Sequence, residues 1–124
     1  MMISGDEYES FLALVKRIAI LEVLALVLQA DYRRIADSPL KLKEIWLDQI
    51  KKMSDRLTEK ESESRKAIRR MGARIIAVKQ TTSHREVEAE LKGFQYKEKL
   101  LNEWLKVECM REAQTLIKEV QENR

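Results

Sequence analysis

Between Tyr8 and Leu28 the chain is crowded with apolar residues. Phe11, Leu12, Leu14, Val15, Ile18, Leu21, Leu24, Ala25 and Leu28 recur mostly at steps of three and four, and Ile20, Val23, Leu26 and Val27 fill much of the remaining circumference. Such steps are those of an α-helix, and a helix apolar on most sides is one surrounded by partners. Upstream, Ser4 and Glu7 have the spacing of a capping box, in which a hydroxyl and a carboxylate satisfy amides left free at a helix start. The pattern predicts a central helix running to about Ile35, with Ile18–Ala30 enclosed as the hub of a compact body.

Asp37-Ser38-Pro39 interrupts the pattern. Ser38 can cap a helix, and Pro39 suits a first helical position, where its missing N–H costs nothing. A second stripe follows at Leu42, Ile45/Trp46, Ile50, Met53 and Leu57. Lys60 and Ser64 then take positions that should be apolar, before Ile68 and Met71 resume the stripe. That lapse predicts a helix end protruding past the core, held by pairs such as Glu61 with Arg65. Gly72 is placed to cap it.

Residues 74–96 read two ways. Arg74–Lys79 is β-rich, and after the break at Thr81–Arg85 the stretch Glu86–Lys92 alternates charged and apolar residues without a miss. Period two indicates a strand with one wet face, and Gly93 would then be a bulge re-phasing the pattern onto Phe94 and Tyr96. The competing reading is a helix, since Val87, Leu91 and Phe94 also sit at helical spacing and Glu, Ala and Lys are poor strand formers. From Lys97 a last helix is predicted, with Leu101, Trp104/Leu105, Cys109, Ala113, Leu116 and Val120 on one face. The expected fold is mainly α: a long antiparallel helix pair of ~45 Å each, a short β-hairpin and a C-terminal helix, in a single domain spanning 1–124. An all-α bundle of three or four helices is the alternative.

Composition agrees with long helices. The 124 residues include only 3 Gly and 1 Pro, and 36% are charged. A lone cysteine, Cys109, cannot form an internal disulfide, which points to a reducing, cytoplasmic setting. Asp6, Glu7 and Glu9 precede the apolar stretch, where a secretory signal would carry basic residues. Ile18–Ala30 is shorter than the ~20 residues needed to span a bilayer, so no membrane role is expected.

Charge adds one asymmetry. Arg65, Lys66, Arg69, Arg70, Arg74, Lys79 and Arg85 lie in a stretch with no acidic residue, while elsewhere acids outnumber bases. These seven are the candidate contact residues. They could neutralise phosphates of a nucleic acid, or offset the negative end of the second helix and pair with acidic protein surfaces. No aromatic residue interleaves them, which argues against a stacking platform for single strands.

Candidate chemistry is otherwise sparse. His84 is the single histidine and lies in a polar break, without the Cys and His partners that zinc needs. Cys109 falls on the apolar face of the last helix and reads as a small core hydrophobe. Three glycines and one histidine assemble no phosphate loop and no nucleophilic triad. Trp46 and Trp104 lie on apolar stripes, and Tyr8 and Tyr32 bracket the central helix, as core or interface filler. No catalytic residue, metal or cofactor is predicted.

Three stretches, Ile20–Ile35 (ILEVLALVLQADYRRI), Pro39–Met53 (PLKLKEIWLDQIKKM) and Leu91–Lys106 (LKGFQYKEKLLNEWLK), resemble the small YhjD-like proteins of Bacillus and relatives. These are patterned helices and a Gly-aromatic corner, not chemical motifs, and in that group the corner has more aromatic and Arg-Gly character than Lys92-Gly93-Phe94. The resemblance implies a strand-to-helix corner, favouring the hairpin, and a cytosolic home. It implies no activity and no functional residue.

Function is therefore expected in contact rather than catalysis. A ~45 Å helix pair exposes more apolar stripe than one short C-terminal helix covers, so a protein partner or homo-oligomer is expected. Nucleic-acid binding through the 65–85 patch is the alternative.

Overall fold

The computed structural model describes residues 3–122. Two long helices, α1 (Gly5–Ala36) and α2 (Lys43–Arg70), pack as an antiparallel pair. A three-stranded sheet follows, β1 (Ala73–Gln80), β2 (His84–Leu91) and β3 (Phe94–Leu101), and α3 (Asn102–Glu122) closes the body against both long helices. The fold is mainly α, as the apolar periodicity requires.

Helix α1 begins where its cap predicts, the Ser4 hydroxyl accepting the Glu7 N–H at 3.1 Å. The turn after it departs from expectation. Helix α2 starts at Lys43, so Pro39 lies in the connecting loop and not at a first helical position. The Ser38 hydroxyl donates backwards to the Ile35 carbonyl at 2.6 Å, and the Lys43 ammonium donates to the Ala36 carbonyl at 3.2 Å. Both groups donate to carbonyls in the last turn of α1, that of Ile35 accepting the Ser38 N–H as well, whereas α2 opens on Leu42 with no side-chain cap.

The hairpin of residues 74–96 is present and extended by a third strand. All three strands pair antiparallel in the order β1-β2-β3. In the central strand Val87, Ala89 and Leu91 are buried, while Glu86, Glu88 and Glu90 face outward, as period two demands. Gly93 is not a bulge. Lys92 and Gly93 have φ of +51° and +87°, the two consecutive left-handed residues of a tight hairpin turn. The register shift falls in β1, between Ile75 and Ala77. With the turn at 92–93, Tyr96 and Leu100 point inward and Lys97 and Lys99 stand beside Glu88 and Glu86, so residues 97–101 are strand and the last helix starts at Asn102 instead of Lys97. Helical spacing from Leu101 onward hides this boundary in the sequence.

The core gathers around the N-terminal two thirds of α1. Phe11, Val15, Leu21, Leu57, Leu91 and Leu116 are essentially sealed from solvent. The Tyr96 ring lies 5.2 Å from that of Tyr8 and 5.4 Å from that of Phe11, tying β3 to the first turns of α1. The hub thus sits earlier than Ile18–Ala30: burial runs from Phe11 to Leu24 with Leu28, while Leu26, Val27, Gln29 and Ala30 are exposed.

The protruding end is the opposite of the one expected. Lys60 and Ser64 are buried, because α3 crosses there and brings Glu112 and Glu119 to Lys60. Arg65 leaves Glu61 for Glu22 of α1. At the other end no α1 residue beyond Leu28 is buried, and none of α2 before Met53. Helix α3 has 21 residues against 32 and 28 in the pair. The last eight residues of α1, about 12 Å, therefore project with the start of α2 as a helical arm.

Candidate functional site

The arm carries apolar residues that ordinary packing would bury. Leu26 and Val27 at its base, and Tyr32, Leu40, Leu42, Ile45 and Trp46 along it, are all between 41% and 58% exposed. Trp46, read from its stripe as filler of core or interface, lies outside the core. Its stripe faces inward only from Ile50 onward, where α3 arrives to cover it. Trp104, on α3, does pack against the core, with the Lys16 ammonium 5.9 Å from its ring centroid. Single exposed apolar side chains are normal on any protein, but seven within about twenty residues concentrate apolar surface at this end of the molecule.

Two grooves run along α1. One, of about 840 Å³, lies towards α2 and is walled by Leu26, Tyr32 and Leu57, with Glu22, Glu61 and Arg85 among its polar lining. The other, of about 690 Å³, lies between α1 and the start of α3 above Ile50 and Met53. Its lining is mostly apolar, and its charged residues are Asp31 and Lys106. Both volumes fall in the range of ligand or partner sites.

The structure divides the basic stretch. Arg65 donates to Glu22 at 2.9 Å, and Arg85, largely buried, lies 3.8 Å from the other oxygen of the same carboxylate. The Arg85 Nε is buried without a hydrogen-bond partner. Arg74 reaches Glu90 at 3.4 Å, and Lys79 stands opposite Glu86 in the β1–β2 ladder. Lys66, Arg69 and Arg70 are exposed at the end of α2 and form no ion pair among the described residues. Three cations at a helix C-terminus complement its dipole.

A buried ionic cluster, unforeseen from sequence, joins the three helices. The Glu112 carboxylate of α3 receives Arg17 from α1 in a bidentate pair and the Lys60 ammonium from α2 at 2.8 Å. Lys60 also contacts Glu119 at 2.6 Å, and Arg56 reaches the same oxygen at 3.4 Å. Burial by itself would push the Glu112 carboxyl up, but Arg17 and Lys60 outweigh it and hold the group below its ordinary value. Lys60, then Arg56, likewise hold Glu119 down. Glu61 goes the other way, pushed up by burial beside Glu22 despite Arg65. Every charge in the Glu112 cluster meets an opposite one, which makes it a helix clamp with no group left over for acid–base work. The lapse in the α2 stripe at Lys60 and Ser64 was the signal for it.

The remaining candidates are structural. His84 opens β2 with Nδ1 within 3.1 Å of the hydroxyls of Thr81 and Ser83. Cys109 is buried, its thiol 3.6 Å from the Ile20 carbonyl and pushed up by burial and by Glu108 and Glu112. That is the opposite of an activated thiolate. Among the described residues no group of three or more His, Cys, Asp or Glu could hold a metal ion, and no helix is long and apolar enough to cross a membrane.

Compared with known families, residues 6–121 match a family model described as YhjD protein. No curated protein and no solved structure matches the chain.

Proposed function

The chain belongs to the YhjD family, a membership that by itself assigns no activity, and we propose that it acts by docking, as a non-enzymatic helical interaction protein whose contact surface is the α1–α2 arm. One observation carries this reading: seven large apolar side chains between Leu26 and Trp46 are exposed on the end of the α1–α2 pair and its connecting loop, where no α1 residue beyond Leu28 and no α2 residue before Met53 is buried. Burial of apolar surface is the main driving force of association, at roughly 25 cal/mol per Å² before the costs of ordering. Tyr and Trp, both present on the arm, are favoured anchors of interfaces. The body beneath is braced by the Glu112 clamp, so the arm is presented by a rigid base.

A nucleic-acid role for the 65–85 stretch has less support, because four of its seven cations face carboxylates and the remaining Lys66, Arg69 and Arg70 make a small site.

Substituting Leu26→Glu together with Ile45→Glu tests the reading. The double variant keeps native helix content by circular dichroism, because both positions are exposed, but loses binding of an apolar-surface dye and loses any complex the unaltered chain forms in sedimentation. A native chain that binds no such dye and forms no complex refutes the docking role.

A further inference from the structure

We infer that the free edge of β1 is a strand-addition site for an extended partner segment that alternates acidic and apolar residues, on a surface separate from the α1–α2 arm. In an antiparallel ladder only every second residue turns its N–H and C=O towards a given neighbour, and the others turn theirs to the opposite side. Along Arg74–Lys79 no backbone group has a partner outside β2 among the described residues, so the outward row is unpaired. Nothing but β2 and α2 packs substantially on the strand, and its Ile76 and Val78 are 40% and 38% exposed. The other edge of the sheet is guarded. There Glu98 of β3 stands opposite the buried Val87, on the inward face, and inward charge keeps an edge from pairing. The inward residues of β1, Ile75 and Val78, are apolar, and the shift at Ile76 bends the strand without adding a charge or a proline.

Charge selects the occupant. Residues 64–85 contain no acid. Arg74 is exposed and reaches Glu90 only at 3.4 Å. Lys79 forms no ion pair among the described residues, and Glu86 opposite it lies 3.7 Å from Lys97 of β3. Lys66, Arg69 and Arg70, likewise without ion pairs, end α2 just before the strand. A second copy supplies no countercharge through its own edges. Its β1 offers Arg74 and Lys79 again, and its β3 offers Lys97 and Lys99 on the outward face. The strand that β1 already accepts shows what fits. Strand β2 sets Glu90 beside Arg74 and Glu86 beside Lys79, with Ala89 beside Ile75 and Val87 beside Val78. A segment of the same pattern on the free edge brings carboxylates to the same two cations from the other side and an apolar side chain to Val78. In such contacts the main chain gives affinity and alternate side chains give specificity.

A fluorescent peptide with the sequence of His84–Lys92, HREVEAELK, titrated into the full chain, is the probe. Saturable binding below about 1 mM is expected, with amide exchange slowed at alternate residues of Arg74–Lys79 and unchanged in β2. The same peptide with Lys in place of each Glu should bind at least about tenfold more weakly. Val78→Lys separates strand pairing from simple attraction, and the exposure of Val78 lets the variant keep its fold. The added cation strengthens attraction of an acidic peptide, but as an inward charge it blocks a strand, so binding should weaken about tenfold. Leu26→Glu with Ile45→Glu should leave peptide binding unaltered, so this site and the docking arm stand or fall separately. No binding by about 1 mM, equal binding of the lysine peptide, or tighter binding by Val78→Lys overturns the proposal. So do binding that leaves β1 exchange unchanged or speeds that of β2, binding lost with the arm variant, and a short single-stranded DNA that binds more tightly than the peptide and displaces it.

Discussion

Lys60 of α2 and Glu112 of α3 meet with Nζ 2.8 Å from Oε2, their side chains only 10% and 8% exposed. Fifty-two residues apart in sequence, they join with Arg17 to make one charged contact between all three helices. Taking a charge out of water is costly, and the cost is offset only while its partners are in place.

Glu112→Ala leaves Lys60 buried beside Glu119 alone and Arg17 without its carboxylate. We expect a loss of about 3–5 kcal/mol in unfolding free energy, the range for breaking one side of a buried pair. Replacing the pair together, Lys60→Met with Glu112→Leu, should recover a large part of it. Urea titrations of the three chains check both statements, and equal midpoints for Glu112→Ala and the native chain would contradict them.

Stability should fall on the acid side. Glu112 and Glu119 are held below their ordinary 4.5 in the folded chain. A group with a depressed folded value contributes fully above its unfolded value and loses that contribution as pH falls through the folded one. Thermal midpoints should therefore hold steady towards neutrality and drop below about pH 4.5. Glu61 is shifted upward, so it binds its proton more tightly when folded and opposes the trend slightly just above that pH. In Glu112→Gln the acid limb should be shallower.

Glu22 collects Arg65 and Arg85 from two different elements. Glu22→Gln removes the countercharge from a largely buried Arg85 whose Nε already has no partner. A loss of about 1–3 kcal/mol is expected, the penalty for an unsatisfied buried polar group. The sheet should loosen with it, seen as faster amide exchange at His84–Glu86. Unchanged exchange there would show that Gln80, the other partner of Arg85, suffices.

Gly93 sits at φ +87° with nothing within 4 Å of where a Cβ would stand. Space is therefore not the constraint; the backbone is. Gly93→Ala should cost about 1–2 kcal/mol, the penalty of a left-handed conformation for an L-residue, measured as a shift in urea midpoint. Gly93→Asn should cost less, since Asn tolerates that region.

Cys109 should react with thiol reagents far more slowly in the native chain than in denaturant, because its thiol is buried and pushed away from thiolate. Native and denatured rates that agree would contradict its placement.

Much of this molecule is written in local pattern. Periodicity marks α1 and α2 within a few residues, Ser4 marks the first helix start, Gly72 the end of the second, and the alternation from Glu86 to Leu91 the central strand. These follow from the chain's own geometry, because helix and strand set the period at which side chains return to one face. What local pattern leaves open is which partner meets which face. Lys60 and Ser64 look like gaps in an apolar stripe until α3 brings Glu112 and Glu119 to them, and Arg65 looks like a neighbour of Glu61 until Glu22 arrives from α1. Lys97–Leu101 satisfies helical spacing, yet pairing with β2 holds it extended. The place where α3 crosses the pair, against Arg17 and Ile20 of α1 and Arg56 and Lys60 of α2, decides that the arm near Trp46, and not the end near Arg70, stands clear of the body. Burial and charge pairing depend on contacts between residues tens of positions apart, and only the folded arrangement sets those contacts.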